Sequence, residues 1–262
     1  MAGIHEGVGV YEPTAGNGML LIAATPEDTV ANELNSDRAS MLKMLMPEAN
    51  IQQNNAASWT PNPKFDVVIA NPPFGVTKDA QGNTISFEVD GVKTNEIDHA
   101  IAFNALSRMD DDGTAVLIVG GVTAKEEDAR KDAYRSKSKL NFYSNLYGKY
   151  NVVGHYAIDG DLYRKQGASY PVDMIVIKGV LKEGESSSRK LPAAALPLQV
   201  NSYEQLKNIV KENKDEFSRM GTEAKPSDEG TVGGEASTRE TVKQTGLGGS
   251  RSEEHTSELQ SH

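Results

Sequence analysis

Short continuous apolar runs alternate with longer segments of near-helical spacing along the first 180 residues. "GVGVYEP" (7–13) reads as a strand ending at Pro13, and "GNGMLLIAA" (16–24) as a buried helix opened by glycines. "TVANEL" (29–34) is a second strand, and "SDRASMLKMLM" (36–46) predicts a helix with Ser36 as its N-cap. "NIQQNNA" (50–56) is a weaker third strand and "FDVVIAN" (65–71) a fourth. "EIDHAIAFNALSRM" (96–109) has the pattern of an amphipathic helix stopped by "DDDG", and "GTAVLIVGG" (113–121) is a fifth strand. "NVVGHYAID" (151–159) and "PVDMIVIKG" (171–179) are strand-like, with no clear helix between them, and predict an antiparallel pair at one edge. This repetition of strand and helix predicts an α/β fold, a doubly wound and mostly parallel sheet.

The segment from Phe74 to Glu96 carries Gly-Asn and Asp-Gly turn signals around a short alternating run, which predicts a hairpin excursion. It follows the fourth strand directly, at the carboxyl edge of the sheet, where open α/β folds bind ligands. After about residue 180 the pattern changes. Residues 181–250 read as a linker, one short helix over 202–220, and a polar Gly/Ser/Thr-rich tail with too few large apolar groups to order itself. The last stretch, "RSEEHTSELQSH" (251–262), matches the translation of a common sequencing adapter over eleven consecutive residues. On that reading the natural C-terminus is unknown, and His255 and His262 carry no biological meaning.

Composition narrows the chemistry. The chain has 262 residues and no Cys, which excludes disulfides, thiolate metal sites and Cys nucleophiles. No apolar run approaches the roughly 18–20 residues of a membrane span, and the N-terminus lacks the features of a signal peptide. A reducing cytoplasm is the expected setting. The formal net charge of -10 gives no global attraction for a polyanion, so nucleic-acid binding would need a local basic patch. The dense basic stretch contains Lys125, Arg130, Lys131, Arg135, Lys137, Lys139 and Lys149, interrupted by Glu126, Glu127, Asp128 and Asp132. It reads either as phosphate contacts or as a solvated helix face.

Two motifs carry candidate chemistry. Glu12-Pro13-Thr14-Ala15-Gly16-Asn17-Gly18 follows the first strand, and its glycines let a ligand approach the backbone. The third glycine of a dinucleotide fingerprint is absent, since that position is Leu21, and Glu12 would repel a pyrophosphate but meet an ammonium. Glu33, at the end of the second strand, can accept from both ribose hydroxyls of an adenosine or be a solvated acid. Asn55 can contact an adenine edge or simply form a turn.

The second motif is Asn71-Pro72-Pro73-Phe74. The prolines stiffen the turn, so the Asn71 side chain and the Pro72 carbonyl can converge as a pair of acceptors suited to an exocyclic amino group. Two such hydrogen bonds draw the nitrogen toward tetrahedral geometry and free its lone pair for attack. Phe74 offers a face on which a planar base can stack. The alternative is a Pro-Pro strand terminator beside a half-buried Phe.

With "VYEPTAGNGML", Glu33 and "NPPF" in this order, the sequence resembles the S-adenosylmethionine-dependent amino-group DNA methyltransferases, in particular the N6-adenine group, over about residues 7–180. "NEIDHAIAFNALSRMDDDGTAVLIVGG" and "GDLYRKQGASYPVDMIVIKG" also look like later segments of that family, and methyltransferase modules of phage or mobile-element polyproteins, often followed by a helicase domain, look most similar. The resemblance implies a Rossmann-like methyltransferase domain over 1–180, S-adenosylmethionine as cofactor, DNA as partner, and a monomer. It implies catalytic roles for Asn71, Pro72, Pro73 and Phe74, and cofactor contacts from Glu12, Thr14, Gly16, Gly18, Glu33 and Asn55. Phe74 and Tyr163 would hold the flipped base, with no metal and no covalent enzyme intermediate. Family members usually carry an upstream segment that closes over the methionine end of the cofactor. Here either Met1 is a false start, the segment lies elsewhere, or this copy is incomplete. Related readings are methylation of a glutamine amide in protein or of guanine in RNA. A non-catalytic DNA-binding module of a larger protein is a further one.

Overall fold

The computed structural model describes residues 1–162 and 170–221. β1 (Val10–Glu12) leads through 3-10 turns at Met19–Leu21 and Pro26–Asp28 to β2 (Thr29–Asn32), α1 (Ser36–Leu45) and β3 (Asn50–Gln52). β4 (Phe65–Ala70) precedes a hairpin, β5 (Phe87–Val89) and β6 (Val92–Thr94), then α2 (Ile97–Leu106) and β7 (Met109–Gly120). α3 (Glu127–Tyr134), α4 (Lys137–Lys149), β8 (Tyr150–Ile158), β9 (Val172–Val180), β10 (Leu198–Val200) and α5 (Tyr203–Gly221) follow. The main sheet has the order β10-β8-β9-β7-β4-β1-β2-β3. Every neighbouring pair is parallel except those of β9, which runs antiparallel to β7 and β8. This is the doubly wound α/β sheet expected from the sequence.

Alternation along the strands sends side chains to two opposite cores. Tyr11 and Val68 join Phe103, Leu106, Phe142 and Leu146 on one face. Val10, Val67 and Ile69 join Leu42, Met174 and Ile209 on the other. From β1 the chain winds outward to β2 and β3, then returns to place β4 on the far side of β1. The switch point therefore lies between β1 and β4, the place where open α/β sheets form a ligand crevice beyond the carboxyl ends of their strands. The two candidate motifs follow these two strands.

Several local expectations are corrected. Residues 16–24 do not form a buried helix. Gly16 and Gly18 both take positive φ, and the residue ahead of Pro26 is disfavoured in helix. The space between accommodates only tight turns, with Leu21 N donating to Gly18 O and Ala24 N to Leu21 O, both at 2.9 Å. Leu21 is buried, while Met19 and Ile22 are 63% and 78% exposed. The N-cap of α1 is Asn35 rather than Ser36, its side chain accepting from Asp37 N and Arg38 N. α2 is not amphipathic, because the β5–β6 hairpin covers the face that would meet water; Asp98 and His99 are buried with its apolar residues. The hairpin forms as anticipated, with Asp90 and Gly91 both at positive φ in its turn. "DDDG" does not end the helix but lies inside β7, where five steps from Met109 to Thr114 face two from Phe65 to Val67. β8 and β9 pair antiparallel as expected but do not form the edge. β10, from the stretch read as linker, pairs with β8 beyond them. The helix expected over 202–220 is α5. The tail from 222 on, with the adapter-like stretch, lies outside the described residues.

Candidate active site

The first motif forms a glycine-rich corner whose atoms are tied to β2. Gly16 N donates to Glu33 Oε2 at 2.9 Å, and Ala15 N donates to Asn32 O at 2.8 Å. Gly16 has open space where a Cβ would stand, whereas a Cβ at Gly18 would lie 2.8 Å from Leu42 Cδ1. The other Glu33 oxygen accepts from Asn35 N at 2.8 Å and from Arg38 Nη2 at 2.7 Å. Burial raises the Glu33 carboxyl, but Arg38 and the Asn35 and Gly16 amides more than offset it and hold the group below its usual range.

Glu12 is the opposite case. It is buried, and its Oε2 has no hydrogen-bond partner. Burial first, and the nearby Glu33 charge second, push its carboxyl up to about 8. Thr14 Oγ1 is also buried without a partner. Two orphaned polar atoms, a backbone free of side chain at Gly16 and an ionised acid at Glu33 form a donor set that fits a cofactor carrying a cation and a ribose. Asn55 is exposed, and its side chain accepts from Ala57 N at 3.0 Å, closing its own turn.

The second motif stands across the crevice at the end of β4. Asn71 is exposed, and its side chain makes no hydrogen bond among the described residues. Pro72 is buried and Pro73 exposed. Phe74 is 38% exposed, and its ring lies 6.5 Å from the Tyr170 ring at an interplanar angle of 34°. Tyr170, which opens the turn into β9, escaped the sequence reading. Tyr163, expected in that role, lies outside the described residues.

Asn32 also escaped it. Its buried side chain donates to Pro13 O and Asn54 O and accepts from Asn54 N, each at 2.9 Å, so one amide joins the loops after β1 and β3. An Asn inside an apolar strand was the available signal, since a buried amide must find partners.

The basic stretch is largely committed elsewhere. Arg130 is buried and donates to Gln199 Oε1 at 3.1 Å and Pro197 O at 3.3 Å. Lys131 pairs with Glu127 at 2.6 Å, Arg135 with Asp132 at 3.4 Å, and Lys149 with Asp90 at 2.8 Å. Lys139 donates to Gly120 O. Among the described residues, Lys125 and Lys137 carry neither an ion pair nor a hydrogen bond from their ammonium groups.

No family model and no curated protein matches the sequence. Solved structures do match its fold. One is a Listeria monocytogenes protein assigned to the class I S-adenosylmethionine-dependent methyltransferases (TM-score 0.53, 11% identity, 80% of this chain and 64% of that one). Another is the modification subunit assigned to a type I restriction enzyme of Vibrio vulnificus (TM-score 0.51, 15% identity, 81% and 49%). A third comes from a type I restriction–modification system (TM-score 0.50, 16% identity, 83% and 49%). The chain thus spans about half to two thirds of the length of these structures. Its fold is that of the class I S-adenosylmethionine-dependent methyltransferases. Among the described residues, no helix is long and apolar enough to cross a membrane.

Proposed function

We propose that this chain transfers a methyl group from S-adenosylmethionine to the exocyclic N6 amino group of adenine in DNA. The observation that carries the reading is the Asn71 side chain, with no hydrogen-bond partner among the described residues, beside an exposed Phe74 at the switch point of the sheet. The glycine corner and its two unlike carboxyls border the same crevice. Bound cofactor supplies an electrophilic methyl group. The chain's own residues position and hold. Glu33, kept ionised, accepts from ribose hydroxyls. Glu12 releases its proton to meet the cationic end of the cofactor, while Gly16 and Gly18 keep the backbone accessible.

On the substrate side, Asn71 Oδ1 and the Pro72 carbonyl accept hydrogen bonds from the two amino N–H groups and so orient the nitrogen lone pair toward the methyl. Phe74 stacks on the base, and Tyr170 borders the same space. The target base must leave the duplex to reach this point, at a cost of a few kcal/mol. Two structures sharing the fold belong to restriction–modification systems, a setting that agrees with DNA as partner.

A second reading, transfer to a glutamine amide of a protein, is favoured by the basic stretch, most of whose cations are buried or paired. Incubation with labelled cofactor and unmethylated DNA, followed by nucleoside analysis, separates the two. N6-methyladenine is the expected product. Label appearing in protein, or in N4-methylcytosine, overturns the proposed reaction.

A further inference from the structure

Directly behind the second motif, Gly120 at the carboxyl end of β7 is held through both its amide and its carbonyl. Asp98 on α2 is 1% exposed, and its two oxygens take different amides. Oδ2 accepts from Gly120 N at 2.9 Å and Oδ1 from Gly75 N at 3.4 Å. Lys139, from the first turn of α4, donates its ammonium to Gly120 O. The open face of Gly120 is covered by Phe74, since a Cβ there would stand 3.6 Å from Phe74 Cβ and 3.7 Å from Phe74 Cγ. Ile97 N donates to Gly75 O at 2.9 Å, so the residue after Phe74 is fastened to α2 through both its amide and its carbonyl.

This arrangement rests Phe74 on a backbone that has little freedom to move. An exposed aromatic ring on a Pro-Pro-Phe-Gly loop would otherwise be set only by that loop, because Gly75 sits at φ 104 and allows wide rotation. A buried carboxylate bridging two amides that belong to different elements fixes their separation. The bond to Gly120 N, at 2.9 Å, is the tighter of the two, and the 3.4 Å bond to Gly75 N is the looser.

We propose that Asp98 and Lys139 are positioning residues that clamp Gly120 through its amide and its carbonyl and through it hold the Phe74 ring where a target base stacks. The inference rests on the reading of Asn71–Phe74 as the amino-group site. Asp98 would act through Gly75 and Gly120 without touching substrate, and Lys139 through Gly120 alone.

The test uses the full chain with Asp98→Asn, which keeps the shape of the side chain but turns an acceptor into a donor facing an amide N–H. Methyl transfer to DNA should lose about 100-fold in kcat, with the Kd for S-adenosylmethionine unchanged. Lys139→Met should also lower kcat. If Lys139 were a phosphate contact, KM for DNA and its salt dependence would change while kcat stayed, and that pattern overturns its place in the clamp. The double variant should lose less than the product of the two single losses, because both act on one residue, Gly120.

Amide hydrogen exchange provides a readout independent of activity. In Asp98→Asn, peptides covering 71–76 and 118–122 should exchange faster, while those from β8 and α1 keep their protection. Unchanged exchange at 71–76, or loosening of the whole sheet, overturns the proposal. Absence of transfer by the unaltered chain counts against the proposed function alone, since the exchange pattern still decides the clamp.

Discussion

Glu12 closes β1 and Glu33 directly follows the neighbouring parallel strand β2; both are buried, yet one keeps its proton and the other is ionised. The charge on Glu33 adds to burial in keeping Glu12 protonated, while Glu33 is kept ionised by Arg38 and two backbone amides. A corner with one neutral and one charged acid can meet a cation without already holding two negative charges. Binding a cofactor with a cationic end should then expel the Glu12 proton. Calorimetric titration with S-adenosylmethionine at pH 7, in buffers of different ionisation enthalpy, should show release of about one proton per cofactor bound. No proton release would contradict the assignment.

The same pair fixes a stability profile. Glu12 has a folded value of about 8, above its ordinary 4.5, so the folded state keeps a proton that the unfolded chain gives up. Stability from this group is complete below the ordinary value and falls as pH rises toward 8. Glu33 runs the other way, stabilising above the ordinary carboxyl range and losing its contribution as pH falls through its lowered value. Glu12→Gln should match the parent in urea midpoint near pH 4 and exceed it at pH 8. A parallel shift at both values would show that Glu12 ionisation is not the source.

Asn71→Ala removes an acceptor from the proposed amino-group site and little else, because the side chain is exposed. Transfer to DNA should fall by a factor on the order of 100–1,000, with cofactor affinity within twofold by a direct binding assay. Equal loss of both would place Asn71 on the wrong ligand.

Phe74→Ala should weaken binding of DNA with an extrahelical base by about 1–3 kcal/mol, while Phe74→Tyr retains most of it. Tyr170→Ala should reproduce part of the loss if the ring 6.5 Å away borders the same base. Fluorescence of 2-aminopurine at the target position reports both.

Gly18→Ala addresses folding. Its φ of 78 and a Cβ position 2.8 Å from Leu42 both resist a side chain. The backbone term alone is about 1–2 kcal/mol, and thermal unfolding should show at least that loss.

The strands and their order of appearance were legible because short apolar runs, such as Val67–Ala70 with Asn71 and two prolines after it, are bounded by turn-forming residues. The two motifs were legible because their residues are local in sequence. What failed was non-local. "GNGMLLIAA" has helical composition, but two left-handed glycines and a proline confine it to turns, and apolarity alone does not bury Met19 or Ile22. α2 reads as ordinary until the hairpin covers it, and β10 is invisible because its three residues gain strand structure only by pairing with β8. Asp98 offers no local pattern, since its two partners lie 23 residues upstream and 22 downstream.

The ends of the main sheet have a bearing on how copies of this chain behave at high concentration. Its outer strands, β3 and β10, have three residues each, and Pro197 immediately precedes β10. The long strands β7 and β9 lie between neighbours, while β10 covers β8 over Tyr156–Ile158. So short an outer ladder, stopped on one side by a residue without an N–H, offers poor purchase for strand-to-strand stacking of one molecule on another. The same brevity leaves room to lengthen either flank by engineering without disturbing the crevice, which hangs from strands at the middle.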